Sequence, residues 1–338
     1  MLEFVSNWVT GADGLNLGLI GAIILFIIGF AALIKGGDWF VDGSVGIAKK
    51  FHLPELLIGA TVVSIGTTLP EVMVSATSAA KGVSSIAYGN AIGSVICNTA
   101  LIAVLTVAIR PSLVNRKALA IPVISFFIAA FFYAGVAIFA REFSRPVGII
   151  LLAMFVIYMI ITVMQAIRHP DDAETEEIEK QLSLFKSIVL LVLGAALIAV
   201  GANFLVDNGT YIARAVGVPE TVIALTFVAL GTSLPELVTA ITSLVKGHGA
   251  LSLGNVIGAN IFNIVLVSGM AITIKPFALP AEKLIGGMNA SLVVDMPVMF
   301  LVMGILTLPA VFSGKLKRWQ GIALLAIYIG FVVFQFVG

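Results

Sequence analysis

One 76-residue stretch of this 338-residue chain occurs twice. Residues 36–111 align without a gap onto residues 201–276 at a constant offset of 165, and roughly 28 of the 76 positions are identical. The identities go beyond apolar filler, so they mark a true internal duplication. Asp42 falls on Asp207, Pro54 on Pro219 and Glu55 on Glu220. Gly66, Thr67, Leu69, Pro70 and Glu71 fall on Gly231, Thr232, Leu234, Pro235 and Glu236. Gly89, Asn90, Gly93 and Asn98 fall on Gly254, Asn255, Gly258 and Asn263.

The medium in which this duplication folds follows from hydropathy. Hydrophobic residues make up 60 % of the chain and charged residues 11 %, against about 25 % charged in a soluble domain; the mean hydropathy is +1.13. These values describe a polytopic membrane protein. A net charge of +1 without a basic stripe argues against a nucleic-acid partner. The single cysteine, Cys97, excludes an internal disulfide and a cysteine-rich metal site. The first 34 residues lack Lys and Arg, so the first apolar segment is expected to be a retained helix rather than a signal peptide.

Runs of about 20 apolar residues, enough to cross a bilayer, can be placed over 17–42, 55–80, 84–109, 118–139, 146–167, 186–212, 220–245, 249–273, 289–311 and 317–337. Such long runs leave no room for the short alternating strands of a β-barrel. The expected fold is an all-α integral membrane protein of ten transmembrane helices. Five spans per half is an odd number, so the second copy enters from the opposite side and the two five-helix repeats are inverted. The expected organisation is a first repeat over 1–167, an acidic cytoplasmic linker over 168–185 and a second repeat over 186–338.

Basic residues orient the chain. Six fall on the N-terminal side: Lys81, Arg141, Arg145, Arg214, Lys275 and Lys283. Twelve fall on the other: Lys49, Lys50, Arg110, Arg116, Lys117, Arg168, Lys180, Lys186, Lys246, Lys315, Lys317 and Arg318. Both termini are therefore expected outside a cell membrane and the 168–186 loop inside. That loop carries Asp171, Asp172, Glu174, Glu176, Glu177 and Glu179 and reads as a solvated connector, with weak cytosolic calcium sensing as the alternative.

Chemistry concentrates in Gly66-Thr67-Thr68-Leu69-Pro70-Glu71 and Gly231-Thr232-Ser233-Leu234-Pro235-Glu236. Proline in a helix interior lacks an amide hydrogen and clashes with the carbonyl one turn earlier, so the carbonyls of 64–67 and 229–232 are expected to be partly released. Hydroxyls stand three and four residues before each glutamate, on one helical face. The next span adds Ser94 and Asn98, mirrored by Ala259 and Asn263, and 27 residues separate glutamate from asparagine in both copies. If these spans are neighbours, four helices direct oxygens at one point in the bilayer. Oxygen ligands suit hard cations such as Ca²⁺, which takes about 6–8 of them. Histidines and thiols that would favour softer metals are missing from the motifs; His52, His169 and His248 fall at span ends or loops.

Other readings compete at individual positions. An intramembrane carboxylate is costly and usually functional, and neither span offers Glu71 or Glu236 a Lys or Arg at matching depth. Gly89, Gly93, Gly254 and Gly258 read as helix packing, and Cys97 as packing too. Asn90 and Asn255 fit helix capping as well as ion access. Lys35 and Asp38 are spaced for a local ion pair. Asp42 and Asp207 suit an interfacial position, and Asp295, without a partner by pseudosymmetry, fits either a proton-linked group or an interfacial carboxylate.

With its two G-T-[ST]-L-P-E motifs, each followed by G-N-x-I-G-[SA] and ending in Asn, the chain resembles the sodium/calcium exchanger family of the cation/calcium antiporter superfamily. The resemblance covers 36–111 and 201–276, and the ten-span plan extends it to the whole chain. It implies that Glu71 and Glu236 are ligands shared by Ca²⁺ and Na⁺, and that Thr67 and Thr232 help coordinate calcium. It assigns Thr68, Ser233, Ser94 and the carbonyls of Ser64 and Ala229 to sodium, with Asn98 and Asn263 completing the centre. It implies further that the first and sixth spans slide across the other eight.

Two positions depart from the family pattern. Ala259 replaces a hydroxyl, and Asn263 stands where potassium-dependent members carry Asp. Two carboxylates leave the centre at most at −2, which one Ca²⁺ or two Na⁺ neutralise. The expected function is Na⁺/Ca²⁺ antiport by alternating access, with the lipid bilayer as solvent, a monomeric transport unit and no prosthetic group. Proton-coupled cation exchange is the nearest alternative and a cation channel a more distant one. No Ser/His pair or Asp dyad supports an intramembrane enzyme.

Overall fold

The computed structural model describes residues 18–109, 114–168, 182–217, 231–280 and 284–337. Nine helices among the described residues are long and apolar enough to cross a membrane: α1 (Gly18–Lys50), α2 (Glu55–Ala80), α3 (Ser84–Leu105), α4 (Arg116–Phe139), α5 (Arg145–Gln165), α6 (Leu184–Ala215), α8 (Gly249–Ile274), α9 (Ser291–Ser313) and α10 (Arg318–Gln335). Between α6 and α8 lies α7 (Leu234–Val245), a shorter apolar helix. Residues 218–230, which include the start of its expected span over 220–245, lie outside the described residues, as does the acidic run of 171–179.

Helices α1 and α6 reach 33 and 32 residues. At 1.5 Å per residue each is about 50 Å long, well beyond the ~30 Å hydrocarbon core. They pack backbone to backbone. Gly29 meets Gly201 and Leu205, Gly36 meets Gly194 and Ile198, and Gly43 meets Ser187 and Leu191. A Cβ at Gly36 would lie 2.8 Å from the Ile198 nitrogen and 2.9 Å from the Gly194 oxygen, so only glycine permits this approach. Rising numbers on α1 meet falling numbers on α6, which makes the pair antiparallel. Gly29 and Gly194 are repeat counterparts, as are Gly36 and Gly201. Equivalent helices thus run in opposite directions, as an inverted repeat demands.

Connections between spans sort to two sides as the ten-span plan requires. Glu142–Phe143 pairs antiparallel with Phe277–Ala278, joining the α4–α5 connection to the segment after α8. At the opposite ends, Val114 N donates to Gly314 O and Gln165 Nε2 donates to Lys117 O. Gly314 closes α9 in the left-handed conformation, φ 68°, a backbone position that glycine reaches without strain.

The centre belongs to α3 and α8, the most enclosed helices. Every residue from Leu251 to Phe262 is buried, the pattern expected when neighbours surround a helix on all sides. Phe126 and Tyr133 of α4 and Met299, Val302 and Met303 of α9 pack in the same apolar core.

The helices also widen at defined places. Asn98–Ile102 of α3 and Asn263–Val267 of α8 each form a π-helical turn, at positions the repeat offset superimposes. Helix α2 widens over Gly59–Val63 and then runs as a regular helix from Ser64 through Pro70 to Ala80. This wider turn lies one turn before the release expected at 64–67, where Pro70 offers no hydrogen to the Gly66 oxygen. There Ser64 Oγ donates to Gly59 O at 2.8 Å and the Tyr158 hydroxyl to Ala60 O at 2.9 Å. Those two hydroxyls take up carbonyls that the wider turn loosens. The second copy behaves differently. Residues 231–233 form a turn and α7 starts at Leu234, with Pro235 in the first turn, where its missing amide hydrogen costs nothing.

Candidate functional site

Glu71 sits in mid-helix on α2, whereas Glu236 occupies the first turn of the described α7. Both are 0 % exposed, and their carboxyl groups lie within electrostatic reach of each other. Thr67 and Thr68, one turn before Glu71, approach the carboxyl of Glu236 rather than only their own glutamate. The first motif's threonines therefore serve the glutamate of the second. That approach stops short of hydrogen bonding: among the described residues neither oxygen of Glu71 or Glu236, nor the Thr68 hydroxyl, has a partner of proper geometry. The side-chain amides of Asn98 and Asn263 are likewise buried without partners among the described residues, and Ser64, Ser94 and Ser233 are buried as well.

Buried polar atoms are nearly always hydrogen-bonded, and an unmatched carboxylate in a low-dielectric interior is costlier still. Two such carboxyl groups within reach of each other, with the Thr68 hydroxyl beside them, suit one class of guest, a cation held by oxygen. Among the described residues no group of three or more His, Cys, Asp or Glu gathers, here or elsewhere. Two carboxylates and neutral oxygens define a hard-cation set. Ala229, expected to offer a carbonyl, lies outside the described residues.

The comparisons with known proteins meet this geometry. The sodium/calcium exchanger protein family matches residues 21–164 and 186–337. The chain belongs to that family. It is 38 % identical over 313 residues to an uncharacterized membrane protein of Methanocaldococcus jannaschii, covering 92 % of this chain and 97 % of the relative. It is 31 % identical over 352 residues to the sodium/calcium exchanger MaX1 of Methanosarcina acetivorans, covering 93 % and 98 %. Among solved structures it is similar to the sodium-calcium exchanger NCX_Mj soaked with Na⁺ and Sr²⁺, with TM-score 0.77, 34 % identity and coverage of 93 % and 99 %. NCX_Mj soaked with zero Na⁺ and Ca²⁺ gives TM-score 0.79 at 35 % identity, covering 93 % and 98 %.

For this member of the sodium/calcium exchanger family, two asparagines emerge that sequence reading left undecided. Asn90 and Asn255 lie inside α3 and α8, well past their first residues, so they cap nothing. Thr232 Oγ1 donates to Asn90 Oδ1 at 3.3 Å, and Thr67 Oγ1 donates to Asn255 Oδ1 at 3.1 Å. Each bond crosses from one repeat to the other. The signal was present in sequence as paired asparagines at a shared offset, but their partners sit 142 and 188 residues away.

Other expectations resolve by distance. Gly254 packs against Leu56 and Gly258 against Ala60 and Ser64, as small residues at helix contacts should. A Cβ at Gly89 or Gly93 meets nothing within 4 Å among the described residues. Lys35 does not pair with Asp38; it lies 5.6 Å from the Trp39 ring centre, while Asp38 faces Lys246 at 3.4 Å. His248 Nδ1 bonds Glu55 Oε1 at 2.7 Å, tying the start of α8 to that of α2. Cys97 is buried and accepts the Tyr328 hydroxyl at 3.7 Å. Asp295 accepts from Gln335 Nε2 at 3.0 Å.

Proposed function

We propose that Glu71 and Glu236 form the shared ion centre at which this chain exchanges Na⁺ for Ca²⁺. The observation that carries the reading is the convergence of both carboxyl groups with Thr67 and Thr68, in a buried place where the carboxylate oxygens lack partners among the described residues. Thr232, Ser233, Ser94, Asn98 and Asn263, with the carbonyls of Ser64 and Ala229, complete the set. Ca²⁺ and Na⁺ require the same oxygens, so either ion displaces the other and the two fluxes are coupled. Occupancy by one Ca²⁺ or two Na⁺ balances the two carboxylates, and the uncharged Asn263 adds no third.

Alternating access needs a moving part. The α1–α6 pair fits that role, because its two helices touch through bare backbone and so travel as one body. An apolar cavity of about 720 Å³ lies between this pair and α2, lined by Phe40, Ile65, Pro70, Leu191 and Ala195 among others. Residues 1–167 and 186–338 act as the two halves, joined by the acidic linker 168–185. Both termini face outward from the cell membrane and the linker faces the cytoplasm, following the basic-residue bias. The transport unit is a single chain in the lipid bilayer.

Sodium-driven ⁴⁵Ca²⁺ uptake into proteoliposomes tests the centre. Glu71→Gln and Glu236→Gln should each abolish uptake while leaving the purified protein monodisperse. Uptake at the unaltered rate in both variants would sink the proposal.

A further inference from the structure

We infer that Asn90 and Asn255 are positioning residues that aim the threonine oxygens of the opposite repeat at the ion, an inference that rests on the ion centre proposed above. A hydroxyl has one proton and two lone pairs. Thr232 gives its proton to Asn90 Oδ1 and Thr67 gives its proton to Asn255 Oδ1. With the proton turned toward an amide, the lone pairs are left for a cation. Without that acceptor the hydroxyl can rotate its proton toward the ion, where like charge opposes binding.

The orientation of Asn90 is fixed by its other end. Asn90 Nδ2 donates to the backbone oxygen of Glu71 at 3.1 Å and to Ser75 Oγ at 2.9 Å. A backbone carbonyl only accepts, so the amide nitrogen must lie on that side and Oδ1 on the side of Thr232. One side chain thereby links the Glu71 main chain of the first repeat to the Thr232 hydroxyl of the second.

Asn255 is held differently, and the repeat offset explains why. The counterpart of Ser75 is Ala240, and Asn255 Nδ2 is buried with no partner among the described residues. In exchange, Ser64 Oγ lies 3.3 Å from Asn255 Oδ1 and 3.1 Å from its backbone oxygen; the counterpart of Ser64 is Ala229. Asn90 is thus anchored through its nitrogen, and Asn255 through its oxygen alone. Thr232 is the more firmly aimed of the two threonines.

A double-mutant cycle on Ca²⁺ uptake by the full chain in proteoliposomes tests this. Asn90→Ala and Thr232→Val should each raise the KM for Ca²⁺ about tenfold, the order expected for losing one buried hydrogen bond, with the maximal rate of Asn90→Ala held within about twofold. Because the asparagine acts through the threonine, Asn90→Ala with Thr232→Val should be no worse than Thr232→Val alone. Independent, multiplying losses would overturn the inference, as would an unchanged KM in Asn90→Ala. If Asn90→Ala fails to fold, Asn255→Ala with Thr67→Val carries the same test, since Asn255 Nδ2 has no bond to lose. Glu71→Gln measured alongside separates the two ideas: uptake surviving there defeats the ion centre itself. Uptake lost there, with multiplying losses in the cycle, defeats only the role of the asparagines.

Discussion

Lys246 Nζ lies 2.7 Å from Asp42 Oδ1. That contact fastens the end of α7 to α1, and Lys246 also donates to the Asp38 backbone oxygen at 3.1 Å. The repeat offset pairs Lys246 with Lys81 and Asp42 with Asp207, yet Lys81 makes no ion pair among the described residues. One end of the α1–α6 pair is therefore tethered by a lysine whose counterpart is not so engaged. The tether joins the proposed moving pair to the remaining helices, so it should favour one access state. The lysine is a quarter exposed and the aspartate nearly half, which limits such a pair to about 1 kcal/mol, or roughly a fivefold shift between states.

Breaking the tether should change the maximal exchange rate by no more than about fivefold, with raised ionic strength reducing the difference between wild type and variant. Lys246→Met measured by ⁴⁵Ca²⁺ exchange at low and high salt checks this. The swapped pair Lys246→Asp with Asp42→Lys should return the rate toward that of the unaltered chain.

Gly36→Val should separate α1 from α6. The added atoms meet the Ile198 nitrogen and Gly194 oxygen, which are backbone and cannot turn aside. Overpacking of this kind costs about 1–3 kcal/mol, so a lowered Tm in detergent is expected together with loss of exchange. Gly330→Ala, on α10 where a Cβ meets nothing within 4 Å, serves as the silent control.

Ala259→Ser supplies the hydroxyl that Ser94 carries at the corresponding position of the first repeat. Ala259 is fully buried on α8, one turn before Asn263. The variant should lower the Na⁺ concentration that half-saturates exchange by a few-fold, read from sodium-dependent Ca²⁺ flux. An unchanged sodium dependence would remove position 259 from the sodium sites.

Cys97 should resist maleimide in the folded protein and react after denaturation. Its thiol is enclosed among α3, α10 and the second motif, with the Tyr328 hydroxyl against it. Mass spectrometry before and after unfolding gives the answer directly.

Much of this architecture was readable because a bilayer enforces simple rules. Long apolar runs become helices, an odd number of spans inverts the second copy, and an intramembrane glutamate has few purposes. Glu71, Thr67 and Glu236 could be singled out on those grounds alone. What local spacing could not supply was partnership at long range. Lys35 and Asp38 are spaced for each other, yet Asp38 faces Lys246 because α7 ends beside α1. Asn90 and Asn255 look like caps until Thr232 and Thr67 arrive from the other repeat. Proline chemistry pointed to Gly66, but local spacing did not announce the wide turn upstream, where the Ser64 and Tyr158 hydroxyls satisfy Gly59 and Ala60.

The matched wide turns at Asn98–Ile102 and Asn263–Val267 change the phase of α3 and α8. Each residue of an α-helix advances about 100° around the axis, and a turn closed one residue later shifts all that follows by about that angle. The side of α3 that carries Asn90 and Ser94 is thus not the side that a continuous helix would continue beyond residue 102. One rod presents two differently aimed surfaces, the first toward the oxygens and the second toward its apolar neighbours. Deleting a single residue within either turn would leave the composition of the helix almost unchanged and rotate its two ends out of agreement.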